Sequence, residues 1–393
     1  MQNIVVKLNR CEKNNVVYLM ILFITFLENV SRIYIFGQID YFANIIDIIT
    51  LLIYLILVIV ICFGHYNKNE LLLFLLIGIL LCYNYYCSGQ AGFLKSFLII
   101  IACRNLDFKR ICNSSKKGYI GVVLLALILY VTGLSTIESP KKRTLTLGFG
   151  HPNVTAQFMM LIFLLHASEH YNGLKKVRYG LYIIGGIVTF LITRSKTSSI
   201  VIISIPFVIS LTKHLFDKPK FFKISKFVLT YNCMILFVFS YLSAKYLMSS
   251  GLLIKLNSFF TGRIWLNYWL INNRDITLFG QNITMTATGI HNTLVDNWNV
   301  TITCDNSYIT WLLRMGIVPS LFIIFCNILL IKKAIKNKEY GIIAINFLLT
   351  VYAFDEAHLM SITTFFMFYY LANGISVNQI IPESITLQKN MKC

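Results

Sequence analysis

Residues 42–63 form an almost unbroken apolar run, interrupted only by Asn44, Asp47 and Thr50. A helix needs about 20 mostly apolar residues to cross a bilayer, so this stretch is long enough to span one. The pattern predicts eleven further segments of the same kind. Together the twelve are 16–36, 42–63, 70–87, 91–103, 119–137, 153–168, 179–193, 197–212, 226–248, 306–331, 340–354 and 357–374. A water-soluble core has no room for so many apolar helices, and only 13% of the residues are charged, against about 25% in a soluble domain. No repeat or low-complexity linker divides the chain. The expected fold is an all-α integral membrane protein, one polytopic domain over residues 1–393 with about twelve crossings.

The net charge of +19 would suggest nucleic acid in a soluble protein. Here the basic residues sit in short runs between apolar segments, as in membrane loops facing anionic lipid, so the expected partner is the bilayer and not nucleic acid. With the N-terminus placed in the cytoplasm and the sides alternating, 23 Lys and Arg fall in inside segments and 8 in outside ones. That asymmetry fits twelve crossings with both termini inside. Residues 1–36 lack the small-residue cleavage site of a secretory signal. The ten cysteines lie mostly in apolar runs (Cys62, Cys82, Cys103, Cys233, Cys326) and make no CxxC or zinc spacing, so neither a metal nor another cofactor is expected.

The outside cations are the informative ones, because they run against the insertion bias. Lys141, Lys142 and Arg143 lie in one loop, Arg194 and Lys196 in a tight turn, and Lys255, Arg263 and Arg274 in the long connection 249–305. Two cations in a turn between apolar helices suit a phosphate held at the membrane surface. The long connection, expected to be a large extracytoplasmic loop, opens with Thr261-Gly262-Arg263-Ile264-Trp265-Leu266-Asn267-Tyr268-Trp269. Trp265, Tyr268 and Trp269 recur at helical spacing, either as an interfacial aromatic belt or as a face for stacking on sugars.

Several motifs in this order resemble those of the O-antigen and capsule polysaccharide polymerase/ligase superfamily. They are Gly148-Phe149-Gly150-His151-Pro152-Asn153 before a span, Thr193-Arg194-Ser195-Lys196 after another, Gly262-Arg263-Ile264-Trp265 at the start of the loop, and Asp305-Asn306, then nine residues, then Gly316. The ligases of that superfamily carry His-Asn at the last position, so Asp305 favours the polymerase branch. The resemblance implies a GT-C-like membrane glycosyltransferase bundle in the bacterial cytoplasmic membrane. It would join undecaprenyl-pyrophosphate-linked oligosaccharide repeats on the outer face, with a chain-length regulator and a flippase as candidate partners.

That chemistry needs cations at a departing pyrophosphate and a base for the acceptor hydroxyl. Arg194 and Arg263 are the expected phosphate ligands, with Lys196 beside them and Asn306, Trp265 and Arg314 as further substrate contacts. Asp305 is the expected base, its pKa raised by desolvation, with an alternative role as helix N-cap; His151 is the rival base. Glu28 and Arg32, one helical turn apart, are expected to neutralise each other. Asp47, Lys95, Lys245 and Arg314 are expected to face the bundle interior or an aqueous cleft. Two other readings stay open: a ligase using the same chemistry on another acceptor, and a lipid-linked oligosaccharide flippase.

Overall fold

The computed structural model describes residues 10–64, 66–135, 144–171, 173–174, 177–260, 262–283, 304–357, 361 and 363–372. The helices, in chain order, are α1 (Arg10–Val30), α2 (Tyr34–Gln38), α3 (Asp40–Cys62), α4 (Lys68–Ser88), α5 (Gly92–Ala102), α6 (Phe108–Val131), α7 (Pro152–Glu169), α8 (Val177–Thr193), α9 (Lys196–Asp217), α10 (Pro219–Lys245), α11 (Gly251–Phe259), α12 (Arg263–Asn273), α13 (Ser307–Thr310), α14 (Ile317–Lys336), α15 (Tyr340–Asp355) and α16 (Phe368–Ala372). A π-helical turn, Trp311–Met315, joins α13 to α14.

Among the described residues, six helices are long and apolar enough to cross a membrane: α3, α4, α6, α9, most of α10, and α14. Shorter apolar helices fill the space between them, namely α5, α8, α15 and the later part of α1. The protein is an all-α membrane protein. Its outermost helices turn bare hydrocarbon outward; Leu51, Leu55 and Ile59 of α3 and Leu72, Leu76 and Ile79 of α4 are all at least half exposed or nearly so. Lipid tails are the solvent such a surface requires.

The interior is continuous. Helix α1 lies against α6, which packs in turn on α7, and α3 packs on α1 and α5; α9 contacts α7, α8 and α15, and α10 contacts α14 and α15. The helices α10, α14 and α15 are sewn together by buried polar side chains. The Asn327 amide donates to Asn346 Oδ1 at 3.0 Å, Asn232 to Thr350 Oγ1 at 2.7 Å, and the Tyr308 hydroxyl to the Thr350 carbonyl at 2.7 Å. Lipid adds no hydrophobic drive between helices, so such bonds and close packing hold them.

Contacts sort the helix ends into two sets. At one end Arg104 pairs with Glu70 (2.6 Å), Lys116 with Glu169 (2.6 Å), and the Tyr171 hydroxyl bonds Glu339 (2.9 Å). At the other, Tyr34 N–H donates to the Gly148 carbonyl, Leu145 N–H to the Ile192 carbonyl, and Thr197 to Asp355. The basic clusters gather at the first end; Arg263 stands at the second.

The segment 357–374 departs from the expected final span. Residues 363–367 form turns, and the helix there, α16, has five residues. Thr364 Oγ1 bonds back to the Ser361 carbonyl (2.9 Å), the local competition by which hydroxyl side chains draw the backbone away from a helix. Phe365, Phe366, Met367 and Tyr369 are buried, and irregular backbone at membrane depth is tolerated only where protein surrounds it.

A second departure is the break at Gly316. The expected span 306–331 is two pieces, because Gly316 has φ of 85° and cannot continue the helix. A Cβ there would lie 2.3 Å from Gly280 N, and one on Gly280 2.2 Å from the Arg314 carbonyl oxygen. The two glycines let residues 277–281 lie directly on the break. Ile317 N–H donates to the Thr277 carbonyl, Val318 N–H to the Leu278 carbonyl, and Gln281 N–H to the Arg314 carbonyl, at 3.0, 3.0 and 3.2 Å. The Asn84 amide closes the arrangement on the Phe279 and Met315 carbonyls, at 2.7 and 2.8 Å. Thus part of the connection 249–305 is packed structure; its residues 284–303 lie outside the described residues.

Candidate active site

Helix α12 starts at Arg263 because Gly262, with φ of 85°, reverses the chain from α11. Ile264, Asn267 and Leu270 form the buried face of α12, three residues apart, and the helix packs on α10. Trp265, Tyr268 and Trp269 are half-buried along its flanks. This seating differs from a helix lying free in the interface: protein, and not headgroups, takes its apolar stripe.

The seating aims Arg263 at the start of α13 and the end of α15. Its Nη1 lies 2.9 Å from Asp355 Oδ1 and donates also to the Asp355 carbonyl; Nη2 lies 3.1 Å from Glu356 Oε1, and Nε 3.6 Å from Asp305 Oδ2. Three carboxylates surround one guanidinium. Burial works against the charge of Arg263, but Glu356, Asp355 and Asp305 outweigh it and hold its pKa above the ordinary value. Arg263, expected as a phosphate ligand, has its fork engaged by acids in this structure.

The carboxylates are not equivalent. Glu356 is buried and its backbone carbonyl takes the Ser307 hydroxyl (2.6 Å); Asp355 also accepts from Thr197 Oγ1. Asp305 is the open one, with a side chain 38% exposed, and its 3.6 Å separation from Nε is longer than a hydrogen bond. Asp305 is thus only partly covered, less so than Asp355 and Glu356. The N-cap is not Asp305. It is Asn306, whose Oδ1 accepts from Tyr308 and Ile309 N–H (2.9 and 3.1 Å), while its Nδ2 donates to the Phe354 carbonyl and Ser240 (2.8 and 3.1 Å). Both ends of that amide are used inside the protein, so the Asn306 side chain, expected as a substrate contact, ties the start of α13 to α10 and α15.

Arg194 and Lys196 flank buried Ser195 in the turn between α8 and α9, and both are exposed. Arg194 adopts φ of 58°, and its guanidinium lies 5.6 Å from the Phe190 ring centroid. Thr197, the next residue, bonds Asp355, so the turn adjoins the carboxylate cluster. His151 stands elsewhere, at the start of α7, where its Nδ1 accepts from Asn153 N–H (3.2 Å) as an N-cap. Arg314 sits on the π-helical turn with its Nε buried and without a hydrogen-bond partner among the described residues, while its carbonyl holds Gln281.

A polar cleft of about 260 Å³ gathers other charges noted in the sequence: Glu28, Arg32, Asp47 and Lys95, with Thr50 and Thr363. Glu28 and Arg32 make no ion pair within 4 Å there. Instead Glu28 accepts from the Tyr54 and Thr363 hydroxyls (2.8 and 3.2 Å), and Arg32 reaches Gln157 of α7 at 3.5 Å. Lys95 lies 5.5 Å from the Tyr54 ring centroid, and Lys245 lies over Tyr241 and Tyr246.

Sequence reasoning did not find the Asp355–Glu356 partnership with Arg263. Among the described residues no three His, Cys, Asp or Glu side chains are grouped to hold a metal. The chain matches no protein-family model, and no curated protein or solved structure is significantly similar to it.

Proposed function

We propose that the protein polymerises lipid-pyrophosphate-linked oligosaccharide repeats into a surface polysaccharide, as a GT-C-like bundle of about twelve crossings in the bacterial cytoplasmic membrane. The Arg263 end faces outward and both termini face the cytoplasm. The observation that carries the reading is the contact chain Thr197–Asp355–Arg263–Asp305. It ties Arg263 and Asp305, from two of the stretches on which the resemblance to the polymerase/ligase superfamily rests, to Thr197, which directly follows a third.

The roles divide by exposure. Asp305, the open carboxylate, accepts the proton of the acceptor hydroxyl. That oxygen bonds the anomeric carbon while the bond from the anomeric carbon to the carrier's pyrophosphate oxygen breaks. Arg194 and Lys196, exposed on the neighbouring turn, meet the charge left on the departing pyrophosphate. Arg263 positions the carboxylates and does not touch the substrate. A flippase would share the broken helix at Gly316. However, the backbone groups freed there are taken by residues 277–281 and Asn84, leaving that break without an open binding site of its own kind.

The test is chain growth in cells lacking the gene and supplied with variants. The Arg194→Ala/Lys196→Ala double variant and Asp305→Asn should each insert normally and display single repeat units in place of long chains. Long chains left on the lipid carrier would point to a ligase, and undisplayed units to a flippase. Wild-type chain lengths in both variants would end the proposal.

A further inference from the structure

A groove of about 790 Å³ lies between α4 and α5 on one side and α14 on the other, running from the end opposite Arg263 as far as Ser361, which also lines the polar cleft. Leu73, Ile77 and Phe97 form one wall, Phe322 and Cys326 the other, and Phe365 the floor. The lining is almost wholly hydrocarbon along its length and changes character at the mouth, where Lys332, Lys333 and Lys336 project from the last turns of α14. Lys333 is committed: its Nζ donates to the Tyr370 carbonyl at 2.7 Å and lies 4.7 Å from that ring's centroid. Lys332 and Lys336 are exposed, one turn apart on the same face. Of the two acids at the mouth, Glu339 accepts from the Tyr171 and Tyr370 hydroxyls, and Asp107 caps α6 by accepting from Lys109 N–H (3.2 Å). Three lysines against two carboxylates leave the described residues of the opening with a net positive formal charge.

We infer that this groove is a binding site for one anionic glycerophospholipid of the surrounding bilayer, with an acyl chain along the α4–α14 walls and its phosphate between Lys332 and Lys336. The chemistry is complementary at both ends. The channel contains apolar side chains that a chain can satisfy, and the two ammonium groups stand where a headgroup would emerge. Phosphates beside basic residues at a helix end are held at the depth where such lysines sit in membrane proteins. A zwitterionic lipid would supply the chain but would offset the phosphate with its own cation. The site is independent of the polymerase proposal, since its lysine mouth lies at the other end of the bundle and it uses none of the same residues.

The experiment is mass spectrometry of the full-length protein purified in mild detergent and exchanged with phosphatidylglycerol or phosphatidylcholine. One phosphatidylglycerol should remain per chain, and phosphatidylcholine should wash out. Lys332→Gln/Lys336→Gln should weaken retention by about 30-fold, from two charges near the headgroup. Cys326→Phe, which fills the groove and leaves the lysines, should also displace the lipid; Ile77→Phe serves if that variant does not fold. Equal retention in the lysine variant, equal retention of phosphatidylcholine, or a polyprenyl phosphate as the resident molecule would each overturn the assignment.

Discussion

Replacing Arg263 by alanine separates two accounts of the cluster, because it strips three carboxylates of their shared cation. At about 4 Å and an effective dielectric near 20, each pair is worth about 4 kcal/mol of attraction. Two of the three contacts here are closer, at 2.9 and 3.1 Å. Desolvation of the guanidinium and repulsion among the acids remove much of that gross figure. Deleting one partner of a buried pair costs a net of about 3–5 kcal/mol. Because Asp305 is 38% exposed and water screens it, the lower end, about 3 kcal/mol, is the expected loss. Arg263→Lys should recover only part, since an ammonium cannot span three acids as a planar fork does. The assay is thermal unfolding of the purified protein in detergent, followed by size-exclusion fluorescence, alongside chain-length analysis in cells. Alanine should lower the melting midpoint and abolish chain growth together, and Glu356→Gln in the Arg263→Ala background should restore part of the stability. Loss of chain growth at unchanged stability would refute the positioning role and return Arg263 to direct contact with phosphate.

Other substitutions probe the scaffold around the cluster. Asn306→Ala removes an N-cap and leaves the Phe354 carbonyl and two buried N–H groups short of partners, so it should destabilise by about 2 kcal/mol or more in the same melt. Gly316→Ala drives a Cβ into Gly280 N and should reduce the yield of folded protein sharply, whereas Gly251→Ala, with open space around its Cβ, should not. Burial pushes the Cys304 thiol up to about 11, so it stays protonated below that pH and only about one part in a thousand is thiolate at pH 8. Maleimide at pH 8 should therefore leave Cys304 unmodified until the protein is denatured; rapid labelling of the folded protein would show that α12 does not cover it.

How much was legible beforehand depended on the range of the interaction. Membrane embedding and helix content are written in local composition: residues 42–63 leave a chain few choices, and α3 lies within two residues of that run. The turn at Arg194 was equally legible, since two apolar runs meet there. Asn306 was misassigned in favour of Asp305 because both residues suit a cap and only the backbone geometry at residue 306 distinguishes them. The irregular segment 363–367 was read as a span because an apolar residue shielded by protein and one facing lipid look alike in sequence.

By itself the sequence determined that this chain is a bundle of apolar helices with its basic residues gathered between them, because burial in lipid depends on each segment's own side chains. Only the tertiary structure decided what Arg263 is for. Its three acids come from residues 305, 355 and 356, and which charges meet across such separations is set by how α12, α13 and α15 pack. Likewise Gly316 reads as an ordinary glycine until residues 277–281 are seen lying against it. Pairing between distant segments is a property of the packed bundle, and periodicity along one helix carries no information about it.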